Sequence, residues 1–205
     1  MSTRHHPSAE ILAAYAAGTH ESGFGLVVGA HVEMCPDCRA QVGAFEAASG
    51  AALSELPETE LGADALTRAL ARLAEPAPQH ASEDARPLLE RLPLKAKRWV
   101  APGVWVAAVD TPHAAENRVY VLSVAKGMVS ARHEHSGAEY CTVLKGAYRD
   151  EIGTFAAGDF AAAEGDLNHQ PIVEGDEACI CLFATEGRLK PQGWIGRLAF
   201  ALADV

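Results

Sequence analysis

The spacing of apolar residues changes character part-way along the chain. In the first eighty residues they recur at helical intervals; after Trp99 they come in short runs of Val, Ile, Leu, Tyr and Phe punctuated by glycine. Pro7-Ser8 ahead of residues 9–18 predicts a short first helix with Ile11, Leu12 and Tyr15 on one face. Ser8 caps its free amides, Glu10 complements its dipole and Gly18 suits its exit. A second helix is predicted over Phe24 to about Met34. Pro36 is excluded from a helix interior but suits a first turn, so a third helix starts there and runs through Arg39 to about Ala48. A fourth covers Thr59 to Ala74, with Leu66, Leu70 and Leu73 at i, i+4 and i+7; it is either one more core helix or an amphipathic helix laid across a partner.

In the second half, Val104–Val109, Val119–Val124, Glu139–Leu144, Tyr148–Glu151, Phe160–Ala163 and Ala178–Ala184 read as strands, with turns at Gly146 and Gly158-Asp159. Strands this closely spaced imply an antiparallel barrel or a double-sheet jelly roll. Between the halves, residues 75–86 (E-P-A-P-Q-H-A-S-E-D-A-R) have the composition of a linker. The expected organisation is a small all-α module over residues 1–75, a linker over 76–94 and an all-β domain over 95–205.

Charge narrows the function. The net charge is −10, of which −6 falls in residues 1–80. An acidic chain without a basic run is poorly suited to gripping nucleic-acid phosphates, whereas its acidic first part suits a basic partner surface. The sequence holds no apolar stretch near the ~20 residues a membrane helix needs, and the first six residues lack the apolar core of a signal peptide. The expected location is the cytoplasm, with no membrane contact.

Five cysteines, an odd number, in a reducing compartment argue against a disulfide framework. Cys35 and Cys38 form a C-x-x-C pair, and His31 lies four residues before Cys35, on the same helical face. The break at Pro36 turns both sulfurs toward one point. Two thiolates and two neutral imidazoles make an uncharged tetrahedral zinc site. The fourth ligand is then a histidine outside the element: His6 is the first choice, His5 the close alternative and His20 the more remote one. A redox C-x-x-C would call for a βαβ pattern, which is absent.

A second constellation is Gly127-x5-His133-x-His135-x3-Glu139-x6-Gly146, followed by His169. His133 and His135 are two apart and share a strand face. Three imidazoles and a carboxylate turned into a barrel can bind zinc or another divalent first-row metal. The first stretch matches the first motif of the cupin superfamily without a gap. In the second motif Gly158 and His169 agree, while Glu164, Asp166 and Val173 stand where the family usually has Pro, Gly and Asn. Cys141, Cys179 and Cys181 fall on strands, where a free cysteine is commonly a small core side chain; a part in sensing is the sharper alternative.

A zinc-type H-x-x-x-C-x-x-C helical module followed by a cupin resembles the ChrR-like anti-sigma factors. The likeness takes in His5-His6, residues 13–19 (A-A-Y-A-A-G-T), the zinc element and Cys179-Ile180-Cys181. It implies zinc on His6, His31, Cys35 and Cys38, and a second metal on His133, His135, Glu139 and His169. It implies a partner, an extracytoplasmic-function-type (ECF-type) sigma factor, held away from RNA polymerase without catalysis and released on oxidative or photo-oxidative stress. Dimerisation through the cupin is a further possibility. The competing expectations are a cupin metal-dependent dioxygenase, which the same barrel ligands would serve, and a zinc-buffering protein.

Overall fold

A computed structural model describes residues 3–20, 22–73, 86–111, 117–130, 132–134, 137–163, 168–186 and 190–191. Among them are the helices α1 (Ala9–Ala16), α2 (Ser22–Met34), α3 (Pro36–Ser54), α4 (Ala65–Leu73) and α5 (Leu88–Arg91). The strands are β1 (Arg98–Ala101), β2 (Val104–Ala108), β3 (Arg118–Val124), β4 (His133–Glu134), β5 (Glu139–Lys145), β6 (Ala147–Arg149), β7 (Thr154–Ala156), β8 (Phe160–Ala163), β9 (Asn168–His169), β10 (Ile172–Glu174), β11 (Cys179–Thr185) and β12 (Lys190–Pro191). A helical N-terminal region is thus followed by a β-rich cupin-like domain. No helix among the described residues is long and apolar enough to cross a membrane.

Local signals account for the helix ends. Ser8 Oγ accepts from Ile11 N at 3.3 Å. Gly18, at φ +66°, closes α1 with Gly18 N donating to Tyr15 O and Thr19 N to Ala14 O, both at 3.0 Å, the paired bonds of a Schellman motif. Cys35 is the N-cap of α3 and Pro36 its first residue. Two boundaries differ from expectation. α3 continues past Ala48 to Ser54 because its alanine-rich second half favours helix and no proline interrupts it. α4 begins at Ala65 rather than Thr59, after a turn in which Ala65 N bonds Gly62 O at 2.8 Å.

The strands, all antiparallel, form one six-stranded sheet in the order β1-β2-β3-β11-β5-β8 and two three-stranded sheets, β10-β6-β7 and β12-β4-β9. Alternation along β5 and β11 sends Cys141, Val143, Cys179 and Cys181 into one cluster and Tyr140, Leu182 and Ala184 into another. The second cluster is completed by the helices: Leu12, Phe24, Val27 and Val28 are buried against it. α2 lies on β5 and β11, where Thr142 Oγ1 donates to the Val27 carbonyl at 2.8 Å. Of the stretch expected to be a linker, residues 76–85 lie outside the described residues. The rest carries α5, with Leu92 buried in the shared core and Leu88, Leu89 and Leu94 packed against it.

The approach of α2 to β3 depends on Gly23. A Cβ there would come within 1.8 Å of Asn117 Oδ1 and 2.6 Å of Val119 Cγ2. Both neighbours are buried, and a β-branched valine in a paired strand has little room to yield. Gly23→Ala is therefore expected to destabilise the protein by about 1–3 kcal/mol, despite the better helix propensity of alanine. Equilibrium denaturation checks this; a gain in stability would show that the helix does not sit this close to the sheet.

Candidate metal centres

The N-terminal centre draws on three parts of the chain. His31 comes from the last turn of α2, Cys35 from the break and Cys38 from the first turn of α3. His6 comes from the irregular segment before α1. One donor atom from each lies within 4.8 Å of all the others. His6 Nδ1 is 3.4 Å from Cys35 Sγ and 3.3 Å from Cys38 Sγ; His31 Nε2 is 3.2 Å from Cys38 Sγ. A tetrahedral zinc with ordinary Zn–S and Zn–N bonds needs sulfur–nitrogen edges of about 3.5 Å, so the group fits such an ion with small adjustments. The two histidines left open as alternatives are engaged elsewhere. His20 Nε2 bonds the Ile11 carbonyl at 2.9 Å, and His5 Nδ1 lies 3.3 Å from Asp159 Oδ2.

The protonation chemistry of the group also suits a cation. Burial pushes His31 toward the neutral form, and its Nδ1–H donates to the Gly158 carbonyl at 2.7 Å, which leaves Nε2 as the free lone pair. Burial alone would raise the Cys35 thiol. Donation from Thr3 Oγ1, at 3.1 Å, and from the Cys38 backbone brings it below its usual value. Cys38 is pushed up to about 12 by burial and by its neighbour Cys35. Two adjacent thiolates need a positive charge between them. A divalent ion supplies it and leaves no net charge to bury.

In the cupin, β4 pairs with β9 so that His133 stands opposite His169, with their Nε2 atoms 3.1 Å apart. His169 Nδ1 meets Asp150 Oδ2 at 2.9 Å, and Asp150 Oδ1 accepts from Ile152 N and Gly153 N. The Asp150 side chain is covered, which by itself would raise its carboxyl; the bonds to His169 and to the two amides hold it below the usual value. Glu139, the first residue of β5, is buried, and burial pushes its carboxyl up to about 8. His135 lies outside the described residues, as do Glu164 and Asp166. Cys141, Cys179 and Cys181 are all buried core residues, with Cys179 and Cys181 Sγ 3.6 Å apart.

The sequence reading missed three supporting groups: Asp150, Asp159 and the Gly158 carbonyl. In the sequence Gly158-Asp159 reads as a turn, Gly158 also as a position of the second cupin motif, and Asp150 as a residue of an expected strand. Asp150 meets His169 at Nδ1, the arrangement by which a carboxylate can orient an imidazole whose other nitrogen would hold a metal. Asp150→Ala is expected to weaken metal binding at the cupin histidines by about 10–100-fold, as measured by chelator competition. Unchanged affinity would mean that Asp150 does not orient His169 toward an ion.

Comparison with known proteins places these features together. The family model described as the ChrR cupin-like domain matches residues 93–189. The anti-sigma-E factor ChrR of Cereibacter sphaeroides is 35% identical over 206 residues, spanning 97% of each chain. The crystal structure of Rhodobacter sphaeroides SigE in complex with the anti-sigma ChrR superposes with a TM-score of 0.78 at 37% identity, covering 90% of this chain and 100% of that one. Helical region and cupin are matched together, in one order and at one length. The chain belongs to the ChrR family of anti-sigma factors.

Proposed function

We propose that this protein is a regulator that binds an ECF-type sigma factor and withholds it from RNA polymerase, releasing it under oxidative or photo-oxidative stress. The observation that carries this reading is the likeness to ChrR along 97% of the chain, including the helical region that a cupin dioxygenase has no need of. That breadth favours a regulator over the enzyme. Repression requires only binding free energy, directed at the surface that polymerase would otherwise use. The cytoplasm is the compartment where such a partner works.

In this reading residues 1–75 grip the partner, residues 76–94 connect, and residues 95–205 sense. Zinc on His6, His31, Cys35 and Cys38 joins the segment before α1 to α2 and α3. Zinc or another divalent transition metal on His133, His135, Glu139 and His169 serves the sensor, and the cupin is the surface through which two copies would pair. The gripping surface includes α4. Its leucines Leu66, Leu70 and Leu73 are 71%, 57% and 80% exposed, an amphipathic stripe that belongs to none of the core clusters among the described residues. The acidic balance of residues 1–80 complements a protein whose own surface is basic for DNA.

Co-expression of the full chain with ECF-type sigma factors is expected to yield a stable pair that cannot join core polymerase. Cys35→Ser abolishes the pair. Leu66→Glu with Leu70→Glu weakens it by at least about tenfold, as expected for buried anchors at an interface. His133→Ala keeps the pair and alters its response to oxidant. Undiminished binding by the Cys35 and leucine variants would contradict the assignment.

A further inference from the structure

The turn between β7 and β8 belongs to the cupin in sequence, yet it is built around the N-terminal centre. Gly158 sits at φ +94°, and a Cβ there would come within 2.6 Å of Thr3 Cγ2, so the position needs glycine both for its backbone and for the close passage of residue 3. Its carbonyl accepts the Nδ1–H of His31. Asp159 is 2% exposed, and its two oxygens face two ways. Oδ1 accepts from Arg4 N at 2.6 Å and from His5 N at 3.1 Å; Oδ2 accepts from Ala156 N at 2.8 Å within its own turn and lies 3.3 Å from His5 Nδ1. Phe160 N then donates to the His5 carbonyl at 3.0 Å.

Residues 3–6 belong to no helix or strand. They supply His6 to both sulfurs and the Thr3 hydroxyl to Cys35. The bonds that hold this segment in place come from the cupin turn, more than 150 residues further along. We propose that Gly158 and Asp159 form a clasp that completes the N-terminal metal centre, so that the cupin sets how tightly the helical region keeps its ion. Asp159 acts as a positioning residue: it fixes the irregular segment that carries His6, while the Gly158 carbonyl fixes the tautomer of His31. Linkage makes the effect reciprocal. An ion held by His6 and His31 favours the closed clasp, and an opened clasp lowers affinity for the ion. The proposal rests on the reading of His6, His31, Cys35 and Cys38 as metal ligands, and the test separates the two.

Full-length protein is titrated with cobalt(II) against a competing chelator, with the thiolate-to-cobalt charge-transfer band as the readout because it requires sulfur ligands. Asp159→Ala is expected to lower cobalt affinity by about 10–100-fold, the range found for groups that orient metal ligands. Asp159→Asn keeps one acceptor for Arg4 and His5 but turns an amide toward Ala156 N–H, so its affinity falls between those of wild type and Asp159→Ala; it carries the test if the alanine variant does not fold. Thr142→Val severs another polar link between sheet and helices, that to the Val27 carbonyl, and leaves the cobalt affinity unchanged. Wild-type affinity in a folded Asp159 variant overturns the clasp. So does an equal loss in Thr142→Val, which would trace the effect to general packing of helices on the sheet. Absence of the charge-transfer band from the wild-type protein overturns the metal reading beneath it.

Discussion

The structure turns on one convergence: two sulfurs and two imidazoles, from an irregular N-terminal segment, the end of one helix and the start of the next, brought within a single ion's reach. Three separate pieces of chain meet there. The segment before α1 has no regular structure of its own, α1 is eight residues long, and the Cys35–Pro36 break interrupts the helix that would otherwise run through. A short helix gains little from propensity alone and depends on tertiary contacts. Burial and the neighbouring Cys35 disfavour a thiolate at Cys38, pushing its pKa up to about 12, and a cation between the two sulfurs would offset that cost.

The second constraint is that the helices have no core apart from the sheet. The buried faces of α1 and α2 continue into one cluster with Val119, Val121, Tyr140, Phe160, Leu182 and Ala184. The outer face of β5 and β11 is therefore covered, and their inner face holds the barrel cysteines and Glu139. Residues 150–160 touch both candidate centres: Asp150 meets His169 at one end, and Gly158 with Asp159 holds His31 and the segment before α1 at the other. A change in the barrel thus has a short covalent route to the helices, running through β7.

Much of this was legible in sequence where the signals are local. Ser8 and Gly18 bound α1, Pro36 marks the helix break, and the four- and three-residue spacings of His31, Cys35 and Cys38 need no distant information. The strands follow from their β-branched runs and turn glycines. His6, the first choice among His5, His6 and His20, is the histidine that stands beside the sulfurs; what was not legible is the engagement of its neighbour His5 by Asp159, from the far side of the chain. Nor was the shared core, although two traces of it are visible in retrospect. α2 (S-G-F-G-L-V-V-G-A-H-V-E-M) is apolar on nearly every side, as a helix buried on more than one face must be. The first five residues of β5 are buried on both faces rather than alternating with solvent. Gly23, in this light, is a contact residue rather than a weak point in a helix.

The most direct test of the central claim is zinc-edge X-ray absorption on protein carrying one zinc per chain, with His133→Ala to keep the cupin from competing. The account predicts a four-ligand shell of two sulfurs at about 2.3 Å and two nitrogens at about 2.0–2.1 Å. A shell of nitrogen and oxygen alone, or one with a single sulfur, would contradict it.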